Sequence, residues 1–413
     1  MIAAVKILII LGCMVLLIRK KVGVGYVLLI NAALAAVLFR MSPKDALTSV
    51  GTGAFWLETL QLVGIIVLIM VMGEIMRAVK NFDRTMESLE LLLRDTRAVM
   101  AAIPAIIGLL PMPGGAMLSA PMVRAMSDKV EMPPEQKTFI NYWFRHLWEY
   151  VWPLYPGIIL TAALLEIPAR NVVAVNLPLN AAAILGGLLF CFQGVVRPEA
   201  VHVGSAVGKH VMRLIANLWP IVVVVVAVLF KVPLLLSLSV VCAVLLIAHR
   251  PNREERREIA RRGVTVETIS LIVGVKVFQA VIDRSGAASQ IVDAFVSVNV
   301  PQALLVFAVP FVIGVLTGLT LAFVGVTFPV LMPFFVSETG VVAYPYVMLA
   351  YAGGYLGVLF SPVHLCLVLT REYFKADLGQ VYMLLVRPIL VVLAITVVWF
   401  LFGVGPFVKW IGF

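Results

Sequence analysis

Residues 141–159, NYWFRHLWEYVWPLYPGII, set Asn141, Arg145, His146 and Glu149 inside an otherwise apolar stretch. Ionisable groups at bilayer depth are costly and face a cavity or a partner. Arg145 and His146 offer donors to an anion, and Asn141, His146 and Glu149 offer positions for a coupling ion. Arg145 and Glu149 also stand at i and i+4, where they can simply pair along one helix face. His146 reads either as a proton carrier or as a hydrogen-bonded packing residue. A second stretch, YAGGYLGVLFSPVHLCLVLT (351–370), holds Ser361, Pro362 and His364. A Ser-Pro step frees carbonyls and adds a hydroxyl, so Ser361 and His364 join the coupling set, Ser361 also reading as a solute contact.

Two further stretches supply backbone rather than charge. LPMPGGAMLSAPM (110–122) breaks an apolar run with three prolines and Gly114-Gly115. Proline cannot continue a helical ladder, and glycine permits turn dihedrals and close approach. A second helical arm starting near Ala116 points its N-terminus at the break, an arrangement suited to an anionic group, with Ser119 adding a hydroxyl. TGLTLAFVGVTFP (317–329) repeats the design with Gly318, Thr320, Gly325 and Thr327. Non-helical backbone survives at membrane depth only where protein buries it or it lines a polar cavity. All ten positions, from Gly114, Gly115 and Ser119 through Arg145, His146, Gly318, Thr320, Gly325, Thr327 and Ser361, are candidate substrate contacts.

The elements that position these residues follow from composition. Of 413 residues, 62% are hydrophobic and 13% charged, with mean hydropathy +1.06, so the chain reads as an all-α integral membrane protein. A helical count gives ten spans, at about 2–18, 22–39, 57–76, 139–165, 171–194, 211–230, 232–248, 264–282, 342–369 and 381–403. Two interrupted segments, 98–126 and 300–336, remain as re-entrant hairpins. Segment 83–99 reads as an interfacial amphipathic helix, and the aromatics Trp143, Trp148, Tyr150 and Trp152 as an interfacial belt or as site residues. Glu58 and Glu267 read as helix-start acids, and Lys276 lies mid-span with no partner to name. The four cysteines lie far apart in apolar segments, so neither a disulfide framework nor a metal site is expected. No cofactor and no enzyme activity are expected either, since no Walker loop, HExxH or GxSxG is present.

Net charge of +10 points to membrane topology rather than to nucleic acid. With both hairpins re-entrant, one set of connections holds 23 of the 32 Lys and Arg, and the opposite set holds six. Basic loops stay cytoplasmic, which places both termini outside. The first apolar run precedes its basic residues, Arg19, Lys20 and Lys21, and so reads as a retained helix in the cytoplasmic membrane rather than a cleaved signal.

The chain also repeats itself. LETLQL (57–62) matches VETISL (266–271), AIPAIIGLL (102–110) matches AVPFVIGVL (308–316), and Pro153 matches Pro362. The halves are 1–205 and 206–413, joined through a basic linker at 249–263. An odd number of spans per half inverts the second copy, the arrangement of secondary transporters. A small organic anion is the expected solute, coupled to protons ahead of sodium, with a cation/proton antiporter as the alternative.

The stretches PMPGGAMLSAPM, NYWFRHLWEYVWPLYPG, GLTLAFVGVTFP and GVLFSPVHLCLVLT resemble an uncharacterised family of ten-span prokaryotic membrane proteins, domain of unknown function 401. That family sits in the broad ion-transporter superfamily beside gluconate, citrate, dicarboxylate and sodium/proton carriers. The resemblance implies a homodimer with a fixed scaffold and a sliding, elevator-type transport unit. On that plan 98–194 and 300–403 move against the remaining spans. The dicarboxylate carriers have Ser-Asn-Thr-type hairpin tips; here Ser119 and Thr320 or Thr327 stand nearest, with no Asn at either tip.

Overall fold

The computed structural model describes residues 2–79, 95–112, 114–128, 130, 132–194, 207–230, 232–287, 290, 300–337 and 339–411. Most of segment 83–99, and Pro113, lie outside the described residues. The described residues are predominantly helical, with one isolated bridge among them, between Val336 and Val342. The fold is all-α and of membrane type. Among the described residues, five helical stretches are long and apolar enough to cross a bilayer: Pro43–Ala78, Ala169–Phe190, Val211–Val228, Arg253–Arg284 and Leu378–Val408.

In chain order the first helices are α1 (Ile2–Arg19), α2 (Val24–Leu38), α3 (Pro43–Phe55) and α4 (Leu57–Ala78). Helix α3 falls where the sequence suggested a connection. Ser42 caps it by accepting from the Asp45 N–H, and Pro43 fits its first turn. The first hairpin is α5 (Thr96–Ile107) and α6 (Ala116–Ser127). A broken span follows, α7 (Pro134–Arg145), a 3-10 turn Leu147–Tyr150 and α8 (Pro156–Leu164), and then α9 (Ala169–Phe190). The second half runs α10 (Val207–Leu229), α11 (Leu234–His249), the basic α12 (Arg253–Gly263) and α13 (Val266–Arg284). The second hairpin is α14 (Gln302–Thr317) and α15 (Thr320–Phe335). Its broken span is α16 (Tyr344–Leu359) and α17 (Leu365–Phe374), followed by α18 (Leu378–Val398) and α19 (Val404–Ile411).

At ~1.5 Å per residue these hairpin arms reach only ~18 to 24 Å, short of a ~30 Å hydrocarbon core. The two arms of each hairpin pack on one another. The helices fall into two main groups, joined where α15 packs on α13 and α8 on α4. Helices α2, α3 and α13 pack together, as do α4, α11 and α12, while α14 packs on α16, α9 on α18, and α5 and α6 on α7. Glycine allows the closest of these contacts: a side chain at Gly274 would meet the Gly25 carbonyl on α2 at 2.6 Å. Outside the spans, Lys137 bonds Asp128 at 2.8 Å across the α6–α7 turn and holds that carboxyl below its ordinary range.

Two aromatics of the first broken span, Trp143 and Tyr150, lie in the interior rather than in an interfacial belt. Both are fully buried, and Trp143 donates to the Ala183 carbonyl at 2.9 Å. Lys276 does find a partner, Gln279 Oε1 at 2.9 Å, one helical turn along.

Candidate functional site

Four interruptions of helical backbone converge. In the first hairpin α5 stops at Gly108, and the chain returns through Gly114, whose φ of +70° suits glycine. In the second, α14 ends on Gly318 at φ +62°, and extended Leu319 leads into α15. In the broken spans, α7 ends at Arg145 and α16 at Leu359. Pro153 and Pro156 keep the first from resuming before residue 156, and Pro362 interrupts the second.

Side chains from one break satisfy the freed carbonyls of another. Arg145 is 2% exposed and donates from Nη1 to Tyr155 Oη at 2.9 Å, and from Nη2 to the Leu110 and Met112 carbonyls at 3.3 and 3.1 Å. Tyr155 in turn donates to the Gly108 carbonyl at 2.6 Å, and Trp148 to Ala105 at 2.7 Å. The first hairpin is thus clamped by the first broken span. Tyr351 and Tyr355 of α16 donate to the Glu149 and His146 carbonyls at 2.8 and 2.5 Å, joining the two broken spans. The i, i+4 pairing of Arg145 with Glu149 is not formed. The helix ends between them, and Glu149 instead accepts from Thr320 Oγ1 at 2.6 Å.

The imidazoles meet. His146 and His364 lie 218 residues apart in sequence with their Nε2 atoms 2.9 Å apart. His146 Nδ1 faces the Tyr142 carbonyl at 2.6 Å, and His364 Nδ1 the Gly318 carbonyl at 2.7 Å. Cys366 completes a buried group, its sulfur within 4.8 Å of the ligand nitrogens of both imidazoles. The Glu149 carboxylate stands 3.9 Å from His146 Nε2.

A cavity of about 370 Å³ opens at this junction, with Gly114, Arg145, His146, Glu149, Gly318, Thr320 and His364 in its wall. Cys366 and Glu267 also line it; sequence reasoning had set the one aside as an apolar cysteine and the other as a helix-start acid. Its remaining wall comes from α4 and from the α12–α13 corner, through Met70, Arg262, Thr265 and Thr268. A larger depression of about 680 Å³ beside α11 and α12 is mainly apolar and contains none of these groups.

These stretches decide the family. A family model described as "Protein of unknown function (DUF401)" matches residues 3–405. The chain is a member of the DUF401 family. No functionally curated protein matches it.

Five of the residues singled out in this DUF401 chain stand beside the cavity rather than in its wall, and a sixth, Gly115, lies directly behind it. Ser119 donates to Ala116 at 3.1 Å within α6, and Thr327 to Phe323 at 2.7 Å within α15. Gly325 faces Val275, because α15 has already begun at Thr320 and the break is confined to Gly318 and Leu319. Asn141 bonds the Ala116 carbonyl and Thr370 at 3.0 and 3.2 Å, and Ser361 bonds the Val315 carbonyl at 2.7 Å. Both are anchors of a hairpin to a broken span. A side chain on Gly115 would meet the Arg145 guanidinium at 3.0 Å, so that glycine gives the clamp its room.

Proposed function

We propose that the protein is a secondary active transporter, not an enzyme. It carries a small organic anion across the cytoplasmic membrane of a prokaryote, coupled to protons ahead of sodium. The reading includes two inverted halves with ten spans, both termini outside, and a homodimer of the ion-transporter superfamily type.

The observation that carries it is the meeting of four helix breaks at one cavity whose wall comes from two packing groups. Helical interruptions inside a bilayer are tolerated where they line a polar cavity, and in carriers they hold the solute. The group containing both hairpins and both broken spans supplies Arg145, His146, Glu149, Thr320 and His364; the group of α4, α12 and α13 supplies Met70, Arg262, Thr265 and Thr268. A site shared between two such bodies is exposed to one side or the other as they slide. Arg145 suits an anion because it brings a buried guanidinium to the cavity wall.

A cation/proton antiporter is the second reading, favoured by the imidazole pair beside Glu149. Proteoliposome uptake separates the two, after a thermal-shift screen against organic acids, amino acids and cations across pH and sodium. Solute uptake driven by a pH gradient supports the symporter. Cation flux driven by pH with no organic solute supports the antiporter, and neither flux in any screened condition overturns both.

A further inference from the structure

We infer that His146, His364 and Cys366, with Glu149 completing the shell, form a tetrahedral site for one divalent transition-metal ion of the Zn²⁺ class. The inference stands on the geometry of these residues and holds whether or not the transport reading does.

The two imidazoles carry the argument. A carbonyl oxygen only accepts, so His146 Nδ1 bears a proton toward Tyr142 and His364 Nδ1 bears one toward Gly318. In neutral rings both Nε2 atoms are then bare lone pairs, and they face each other at 2.9 Å. Two lone pairs at that distance repel unless a positive centre lies between them, a shared proton in the metal-free protein and a metal ion in its place when one binds. Imidazoles whose outer N–H is fixed by a backbone carbonyl are the usual arrangement of metal-bound histidines.

The third donor matches. The ligand atoms of His146, His364 and Cys366 lie within 4.8 Å of one another, and all three residues are buried. Zinc takes nitrogen at ~2.0 Å and thiolate sulfur at ~2.3 Å, so tetrahedral donors stand ~3.3 to 3.7 Å apart. The two Nε2 atoms at 2.9 Å stand just below that range and the sulfur lies within 4.8 Å of them, so small rotations of the side chains reach it. Glu149 Oε1, 3.9 Å from His146 Nε2, is at hand as the fourth ligand.

Charge then selects the ion. One thiolate and one carboxylate balance a divalent cation held by two neutral imidazoles, with the Arg145 guanidinium in the same cavity wall. Imidazole and thiolate donors together suit the Zn²⁺ class. Calcium and magnesium require shells of oxygen. Binding releases the thiol proton and any proton shared between the rings.

The test uses the full-length protein, purified in detergent, stripped with chelator and titrated with Co²⁺ as a spectroscopic probe. One equivalent is expected to produce tetrahedral visible bands and a thiolate-to-metal charge-transfer band, both bleached by Zn²⁺. Cys366→Ser is expected to abolish the charge-transfer band, and His364→Ala to weaken binding by more than ~10-fold, losses of the size ligand-shell changes bring. Cys242→Ser, away from the group, keeps the full spectrum. Metal-free melting temperatures of each variant show that the fold persists. An absent band, a band that survives Cys366→Ser, or a weak octahedral spectrum overturns the site. Uptake by the stripped protein is measured separately, so a failed metal site and a failed carrier give different results.

Discussion

Thr320 Oγ1 donates to Glu149 Oε2 at 2.6 Å, so the first residue of α15 holds a carboxylate of the other half's broken span. Glu149 is 7% exposed and lines the cavity, and a hydrogen bond to a charged group contributes ~1.5–3 kcal/mol. Thr320→Val removes the hydroxyl at nearly constant volume. We expect solute uptake to fall by about ten- to a hundredfold, the rate equivalent of that energy. Thr320→Ser keeps the donor and is expected to retain most activity. Equal uptake by the valine and serine variants would show that the bond has no part in transport.

The two left-handed glycines are unequal. Gly114 and Gly318 have φ of +70° and +62°, a conformation costing other residues ~1–2 kcal/mol. An added side chain at Gly114 meets the flexible end of Leu369 at 3.4 Å, whereas at Gly318 it meets the His364 backbone at 2.9 Å. Backbone cannot give way as a leucine tip can. Gly318→Ala is therefore expected to lower the melting temperature by several degrees more than Gly114→Ala, and to weaken Co²⁺ binding as the Gly318 carbonyl shifts from His364. Matching melting curves would contradict the contact.

The breaks were legible in the sequence because their cause is local. Proline removes a donor and glycine admits φ > 0 whatever surrounds them, so Pro111, Gly114, Pro153, Gly318 and Pro362 mark the four interruptions directly. Where each break stops was less legible. Thr327 and Gly325 read as part of a tip, yet α15 resumes at Thr320, and Thr327 is spent on the Phe323 carbonyl. The Arg145–Glu149 spacing implied a pair only on the assumption of continuous helix, which the 3-10 turn at Leu147–Tyr150 removes. Cys366 carried no signal at all. A single cysteine in an apolar stretch reads as a small buried side chain, and only the approach of residues 146 and 364 gives it company.

Sliding of one helix group against the other is open to a direct mechanical check. Thr268 of α13 and Leu319 of the second hairpin both line the cavity but belong to different groups. Cysteines placed at both positions and bridged by a short bifunctional maleimide are expected to arrest uptake, and a reducible bridge to restore it on cleavage. Each single cysteine, treated alike, serves as the control. Full uptake by the bridged protein would mean that the two groups do not separate during turnover.

Arg145 combines a structural duty with a functional one, and a conservative change separates them. Its two Nη atoms bind the Tyr155 hydroxyl and the Leu110 and Met112 carbonyls, while Nε has no partner among the described residues. Lysine keeps the charge but is a point donor without the planar fork. In Arg145→Lys at least one of the hairpin carbonyls loses its donor, at ~1–3 kcal/mol for a buried acceptor. The melting temperature is expected to fall, and protease cleavage between residues 108 and 115 to rise, because that stretch has lost its clamp. If the guanidinium also meets the solute, a stabilising organic acid found in the thermal-shift screen gives a smaller shift with the lysine variant than with wild type. Tyr155→Phe is the comparison: it removes one clamp partner and leaves the guanidinium in place. Loosening of the hairpin with an undiminished ligand shift, in Arg145→Lys as in Tyr155→Phe, would confine Arg145 to holding the fold and leave anion recognition to the remaining donors of the cavity.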